Sequence, residues 1–69
     1  MKLSARNTLQ GTVIKVTKGA VNAEVDIRLK GGDTVVSIIT MGSLKTLGIK
    51  KGKKVYAVIK ASNVMVGVD

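Results

Sequence analysis

The segment that decides the fold is residues 21–30, which read VNAEVDIRLK and alternate strictly between apolar and polar side chains. Successive side chains of an extended chain point to opposite faces, so all the apolar residues of this segment share one face. Such alternation is typical of a half-buried β-strand. Residues 31–33 (GGD) predict a hairpin turn, because glycine reaches positive φ without strain. The β-branched residues of Thr34–Thr40 predict the returning partner strand.

Three further strands and one helical turn are predicted in the rest of the chain. Residues 12–17 (TVIKVT), 55–59 (VYAVI) and 64–66 (VMV) have a strand-forming composition. Residues 42–47 predict a short helix, since Leu44 and Leu47 lie three apart and a glycine follows. Five short strands with a helical turn after the third predict an all-β, OB-like Greek-key barrel that forms a single domain over residues 1–69.

The chain is 69 residues long, which leaves room for one domain. A domain of this size buries only about 60% of the surface that its unfolded chain exposes, and it usually needs a disulfide, a metal or a partner subunit. There is no Cys and no His, and only four side chains are carboxylates, so neither disulfides nor direct metal ligation is expected. Self-association is the remaining source of stability, and we expect an oligomer.

The strongest feature of the composition is its positive charge. Twelve Lys and Arg residues against four Asp and Glu give a net charge of +8, which implies an anionic partner. Nucleic acid is the usual partner of a small basic chain. However, Tyr56 is the only aromatic residue, whereas single-strand binders stack bases on several aromatic side chains. Small inorganic anions therefore fit better. A nucleic-acid-binding module is the alternative, and a protein–protein adaptor is a third class.

Catalysis is not expected. Without His, Cys or a close pair of carboxylates, the chain lacks an evident general base or activated nucleophile. The first residues, MKLS, lead straight into polar sequence without an apolar signal segment. No stretch approaches the roughly 20 apolar residues of a membrane span. We therefore expect a cytoplasmic binding protein that has no cofactor and no membrane contact.

Two short polar stretches carry side chains that suit an oxyanion. Ser4 and Arg6 share one face of an extended chain, which places a hydroxyl beside a guanidinium with several donors in a planar fork. Lys60 and Ser62 repeat this arrangement near the other end of the chain. Taken singly, each is more often an ordinary exposed polar pair.

The predicted helix start and one predicted turn offer further donors. Thr40 and Ser43 flank the helix start, where such residues usually cap the helix but where free N–H groups also bind anions. The turn at residues 18–21 (KGAV) is either a plain turn or a nest whose N–H groups converge on an anion. The basic stretch at residues 50–54 is more often a solvated turn than a nucleic-acid patch.

Several motifs taken together resemble the molbindin (Mop) family, a domain of the TOBE type. They are SARN at residues 4–7, TKGAVNAEV at 17–25, IT at 39–40 with Ser43, LGI at 47–49 and VYAVIKAS at 55–62. The resemblance extends from residue 4 to about residue 67. The same domain occurs in molybdate-responsive regulators and in ATPase subunits of molybdate importers, and here we expect its free-standing form.

The resemblance implies an OB-like barrel that assembles as a hexamer, a trimer of dimers, and stores molybdate or tungstate at subunit interfaces. It implies a first site with donors from more than one subunit, at Ser4, Arg6, Thr40, Ser43, Lys60, Ala61 and Ser62. It implies a second site near a threefold axis, at Lys18, Gly19, Ala20, Val21 and Asn22. The chain departs from the family at Met41-Gly42, where a polar or acidic residue is commoner, and we expect a looser helix start.

The first set of donors also predicts selectivity among anions. Molybdate, tungstate and sulfate are fully deprotonated near neutral pH, whereas phosphate is still partly protonated. None of the first-site residues is a carboxylate that could accept the phosphate proton, and a buried donor without an acceptor is costly. We therefore expect phosphate to bind poorly. The exclusion of sulfate depends on the size of the cavity.

Overall fold

The computed structural model describes residues 1–69 as one four-stranded antiparallel sheet with a short helix. The strands are β1 (Asn7–Lys18), β2 (Asn22–Leu29), β3 (Thr34–Thr40) and β4 (Lys54–Ile59). Helix α1 (Met41–Thr46) joins β3 to β4, and a 3₁₀ turn (Ala61–Asn63) follows β4. The order across the sheet is β3-β2-β1-β4. The predicted all-β class with one short helix is confirmed.

The core forms on the inner face of the curled sheet. Every second residue of β2 from Ala23 to Ile27 is buried, as the alternation of its sequence predicts. Val13 of β1 and Ala57 of β4 belong to the same buried cluster, and Leu44 of helix α1 packs against them. The helix therefore contributes one apolar side chain to a core that is otherwise made by the sheet.

Strand β1 is the longest strand, and it pairs with both of its neighbours. The part from Asn7 to Thr12 pairs with β4, and the part from Gly11 to Lys18 pairs with β2. The strand predicted at residues 12–17 therefore covers only part of β1, which begins at Asn7 and ends at Lys18. The residues before Thr12 have a weak strand-forming composition, and they are extended because β4 supplies their hydrogen-bond partners.

A β-bulge at Ile14 keeps β1 aligned with the core. The register advances by two residues on β1, from Val13 to Lys15, for one residue on β2. Such a bulge shifts the alternation of side chains by one position. As a result, Val13 and Val16 both pack on the core side although they are three residues apart.

The predicted fifth strand at residues 64–66 is wrong for the single chain. These residues pair with no strand, and the sheet has four strands. Met65 and Val66 are 94% and 91% exposed, respectively. Apolar composition produces a strand only when the segment runs along a sheet edge, and this segment leaves the sheet at the 3₁₀ turn. The barrel consequently stays open between β3 and β4, where an apolar cleft of about 320 Å³ lies.

The basic turn between α1 and β4 is held by hydrogen bonds to both the helix and the sheet. The N–H of Gly52 donates to the Val13 oxygen at 2.8 Å, and the N–H of Val13 donates to the Lys53 oxygen at 3.0 Å. The Lys53 ammonium donates to the oxygens of Leu47 at 2.6 Å and Gly48 at 3.3 Å. It thereby satisfies carbonyl groups that the helix end leaves without partners. This turn fastens the helix to β1.

Gly11 lies where β1 approaches β2 too closely for a side chain. A Cβ atom at this position would lie 2.5 Å from Ile27 Cγ2 and 2.7 Å from the Arg28 oxygen. We expect Gly11→Ala to lower the free energy of unfolding by about 1–3 kcal/mol through overpacking, measured by chemical denaturation at a fixed protein concentration. Gly31→Ala is the matched control, since a Cβ there meets no atom within 4 Å. Equal losses in both variants would contradict close packing at Gly11.

Candidate oxyanion-binding site

Five of the predicted first-site residues adjoin one end of the sheet. We call them the strand-end group: Ser4, Arg6, Lys60, Ala61 and Ser62. The last paired residues of β1 and β4 are Asn7 and Ile59, which lie opposite each other. Arg6 and Lys60 directly adjoin this pair in the chain, so the register brings both cations to the same end of the sheet. All five residues of the group are exposed.

Asn7 positions the strand-end group, and the sequence alone does not reveal this role. Its side-chain amide donates to the Ile59 oxygen at 3.2 Å, which links the two strands next to Arg6 and Lys60. The two residues are 52 positions apart in the chain, so only the register of β1 with β4 brings them together.

The 3₁₀ turn adds backbone donors to the strand-end group. Its hydrogen bonds begin where the Asn63 N–H donates to the Lys60 oxygen at 2.8 Å. The first N–H groups of any helical turn have no partner within the turn, and here they belong to Ala61 and Ser62. The group therefore combines two cations, two hydroxyls and the N–H groups at the start of a turn.

The two remaining first-site residues, Thr40 and Ser43, form a separate set that we call the helix-start group. Thr40 is the N-cap of α1, and its Oγ1 accepts a hydrogen bond from the Ser43 N–H at 3.0 Å. The Thr40 hydroxyl donates in turn to Ser43 Oγ at 2.9 Å. The capping role is confirmed, and the residues Met41 and Gly42 do not prevent it. The exposed Ser43 hydroxyl keeps its own proton as a donor.

The predicted second site lies beside the helix-start group. Asn22, at the end of this turn, is opposite Thr40 in the sheet. The N–H of Met41 donates to the Val21 oxygen at 2.9 Å, which ties the turn to the helix start. The chain thus brings the residues of the second site (Lys18, Gly19, Ala20, Val21 and Asn22) next to two residues of the first site.

The turn of the second site contains two N–H groups that donate no hydrogen bond to an oxygen of the chain. The Gly19 N–H donates to the Asn22 oxygen at 2.8 Å, so it is used within the turn. The N–H groups of Ala20 and Val21 donate to no oxygen of the chain. A Cβ atom at Gly19 would lie 2.8 Å from the Asn22 oxygen, so this tight turn requires glycine. An anion-binding nest in this turn would therefore be formed by the N–H groups of Ala20 and Val21.

The strand-end group and the helix-start group lie at opposite ends of β1. Asn7 at the start of β1 adjoins the first group, and Lys18 at its end adjoins the turn that carries the second. Strand β1 has 12 residues. At about 3.3 Å per residue, β1 measures roughly 36 Å along its chain path. A tetrahedral oxyanion is only a few ångströms wide, so the two groups lie much farther apart along β1 than the width of one anion.

The candidate residues form a set of hydrogen-bond donors without a carboxylate. Cationic side chains, hydroxyls and N–H groups favour anions that accept hydrogen bonds and donate none. No three residues among His, Cys, Asp and Glu lie close enough together to hold a metal ion. No helix in the structure has the length and apolar composition that crossing a membrane requires.

Comparison with known proteins agrees with this donor chemistry. The family model described as TOBE domain matches residues 3–66, which is nearly the whole chain. The chain belongs to the TOBE domain family, in its molbindin (Mop) type. The resemblance inferred from the sequence motifs is thereby confirmed.

This TOBE domain matches relatives along its full length. It is 46% identical over 69 residues to the "Probable molybdenum-pterin-binding protein" of Haemophilus influenzae, and the match covers 100% of both chains. It is 50% identical over 66 residues to "Molybdenum-pterin-binding protein 3" of Clostridium pasteurianum, covering 96% of this chain and 97% of the relative. The solved structure of the cytoplasmic molybdate-binding protein ModG, with molybdate bound, is 51% identical, with a TM-score of 0.95. That match covers 100% of this chain and 49% of the ModG chain.

Proposed function

We propose that this TOBE domain binds molybdate or tungstate in sites shared between subunits, and that it stores the anion in the cytoplasm. The observation that carries the proposal is the separation of the strand-end and helix-start groups by the length of β1. Both groups carry oxyanion donors, and in this proposal a second subunit brings them together. The names of the relatives and of ModG support molybdate as the ligand.

The chemistry of the first site selects fully deprotonated anions. Arg6 and Lys60 supply charge-assisted hydrogen bonds, and Ser43 supplies a hydroxyl whose own oxygen already accepts from Thr40. None of these residues is a carboxylate that could accept the proton of a phosphate, and a donor left without an acceptor in a shielded site costs about 1–3 kcal/mol. Tungstate has the charge and shape of molybdate, so the same donors bind it.

A second anion site is proposed at the turn between β1 and β2. The unpaired N–H groups of Ala20 and Val21 would donate to the anion, and the exposed ammonium of Lys18 would balance its charge. One such turn offers few donors. A threefold arrangement of subunits would multiply them around one axis, in keeping with the hexamer that the family resemblance implies.

Exposed apolar surface supports the proposed oligomer. Met65, Val66 and Val68 are each more than 90% exposed, which is costly for a free chain in water. The cleft between β3 and β4 is lined by apolar side chains and bounded by two unpaired strand edges. We propose that the tail of one subunit covers this cleft on another and completes its barrel.

The outer face of β2 and β3 offers a second surface for association. Val36 and Ile38 are 58% and 66% exposed there. Beside them, Asp26 Oδ1 is shielded from solvent and accepts no hydrogen bond from the chain. A cation or hydroxyl of another subunit would supply the missing donor, and the net charge of +8 makes such a donor abundant.

We further propose that the protein has no catalytic activity and no cofactor. The chain has no His and no Cys, so it lacks the side chains that most often act as general bases or activated nucleophiles. The cytoplasmic location is supported by the description of ModG as cytoplasmic.

The first prediction of this proposal separates a formed site from general positive charge. Arg6→Gln and Lys60→Gln are each expected to weaken molybdate binding about tenfold or more, since a lost charge-assisted hydrogen bond costs about 1.5–3 kcal/mol. Lys51→Gln removes the same charge from the basic turn, where salt screens it, and should change affinity less than about twofold. Isothermal titration calorimetry measures all three. Equal losses would mean that overall charge holds the anion.

A mixing experiment tests whether the first site needs two subunits. Lys60→Gln removes a strand-end donor, and Ser43→Ala removes the helix-start hydroxyl but keeps the N–H that Thr40 caps. Each variant alone should bind molybdate weakly. When equal amounts are unfolded and refolded together, about one quarter of interfaces combine two intact groups.

We expect about one quarter of the strong molybdate sites to return in the mixed assembly. The stoichiometry of binding in isothermal titration calorimetry measures this fraction. Each variant refolded alone is the control. If the mixed assembly forms but no strong site returns, the donors act within one subunit and the shared site is wrong.

The tail provides a test of the assembly. Deleting residues 64–69 should shift the protein to a smaller species, because it removes the apolar segment proposed to cover the partner's cleft. Deleting Asp69 alone is the control, since it shortens the chain without removing an apolar residue. Sedimentation equilibrium at micromolar concentration measures the mass. A full-length monomer, or an unchanged mass after the longer deletion, would contradict the proposed tail contact.

A further inference from the structure

One cavity of the molecule lies away from both oxyanion groups. It is a groove of about 640 Å³ on the sheet, where β2, β1 and β4 run side by side. Its ten lining residues are Gln10, Gly11, Thr12, Ile14, Arg28, Leu29, Lys30, Lys54, Val55 and Tyr56. None of them belongs to the strand-end group, the helix-start group or the turn of the second site. We call this cavity the sheet groove.

The sheet register places Arg28 and Lys54 on either side of Thr12, and a third cation lines the same cavity. Thr12 is opposite Arg28 on one side and opposite Lys54 on the other, and Lys30 lines the same cavity. Arg28 of β2 and Lys54 of β4 lie on strands that are not adjacent, and only their shared partner β1 brings them to one place, whereas Lys30 lies in the turn that follows β2. No Asp or Glu lines the groove. The sheet groove is therefore a concentrated positive site with no internal counter-charge.

The hydroxyl of Thr12 keeps a proton that it can donate to an anion. The Lys54 ammonium donates to Thr12 Oγ1 at 3.2 Å, so the hydroxyl oxygen already accepts a hydrogen bond. Its own proton remains for a second partner. Since Arg28 is opposite Thr12 in the sheet, this hydroxyl offers a donor between two cationic residues.

The groove also contains the only aromatic side chain of the protein. Tyr56 is 51% exposed and lies opposite Gln10 in the sheet. Ile14, the residue at the β-bulge, adds an apolar surface to the same cavity. A flat ring can stack on an exposed tyrosine, while the long stems of lysine and arginine pack against it.

We propose that the sheet groove binds a small molecule that has a flat aromatic ring and a phosphate group, the chemistry of a nucleoside monophosphate. The phosphate would lie among Arg28, Lys54 and the Thr12 hydroxyl, and the ring would stack on Tyr56. Three positive charges match a phosphate dianion better than a single carboxylate. The volume falls within the roughly 300–1,000 Å³ of small-molecule sites and far exceeds the size of one tetrahedral oxyanion.

Titration of the full-length protein with AMP tests this proposal. Adenosine and inorganic phosphate are the part-ligands, since each keeps one half of the chemistry. We expect AMP to bind at least about tenfold more tightly than either, because one molecule engages both halves of the groove. The ring protons of Tyr56 should shift in the NMR spectrum, where no Phe, Trp or His signal overlaps them. AMP binding no tighter than that of phosphate or of adenosine would overturn the proposal.

Variants of the groove locate the AMP site. Arg28→Gln and Tyr56→Leu should each weaken AMP binding about tenfold, as expected for the loss of a charged donor or a stacking surface. Lys51→Gln removes a charge outside the groove and should change the affinity less than about twofold. Arg28 is exposed, so Arg28→Gln is expected to fold normally. This variant therefore still tests the groove if Tyr56→Leu does not fold. Equal affinities of Arg28→Gln and Lys51→Gln for AMP would overturn the assignment.

Two competition measurements separate this groove from other anion sites. Saturating molybdate should leave AMP affinity unchanged, and Arg28→Gln should leave molybdate affinity unchanged, because the two sites share no residue. Displacement of AMP by molybdate would place AMP in an oxyanion site and overturn the proposal. A short oligonucleotide that binds more tightly than AMP would make the groove a nucleic-acid surface, which also overturns it.

Discussion

The structure depends on the pairing of β1 with two different strands. Its first half pairs with β4 and its second half with β2, so one strand of 12 residues holds the whole sheet together. Residues 11 and 12 pair with both neighbours at once, and there the strands approach so closely that position 11 is a glycine. The bulge at Ile14 then realigns the second half with the core. Without this double pairing, β4 would have no neighbour.

The same strand separates the functional groups of the chain. One end of β1 adjoins Arg6 and, through the Asn7 hydrogen bond to Ile59, Lys60. The other end adjoins the turn and the helix start, where Thr40 and Ser43 lie. A chain built in this way presents donor sets at both ends, and in the proposed function another subunit completes the site. The proposed assembly and the proposed anion sites therefore have one structural cause.

The positively charged side chains have different roles in the structure. Lys53 closes the end of helix α1, and Lys54 donates to Thr12 at the floor of the sheet groove. Arg6 and Lys60, by contrast, are exposed and make no hydrogen bond to the chain through their charged groups. A net charge alone does not distinguish cations that support the fold from cations that are available to a ligand. The hydrogen bonds of each side chain make that distinction.

The sequence by itself determined the elements whose signals are local. The alternation in residues 21–30 identified β2, the glycines at 31 and 32 identified the hairpin, and Thr40 with Ser43 identified the capped helix start. The motifs also identified the family. These features depend on neighbours within a few positions along the chain, so periodicity and residue type are sufficient to predict them.

Only the tertiary structure decided which segments meet. Residues 7–11 are a strand because β4 pairs with them, and residues 64–66 are not a strand because no edge of the same chain pairs with them. The register likewise decides which residues adjoin each end of β1, and it places Arg28 and Lys54 opposite Thr12. Register is set by hydrogen bonds between residues far apart in sequence, and a one-residue slip would turn each side chain to the other face. Local sequence patterns therefore do not predict which distant residues pair.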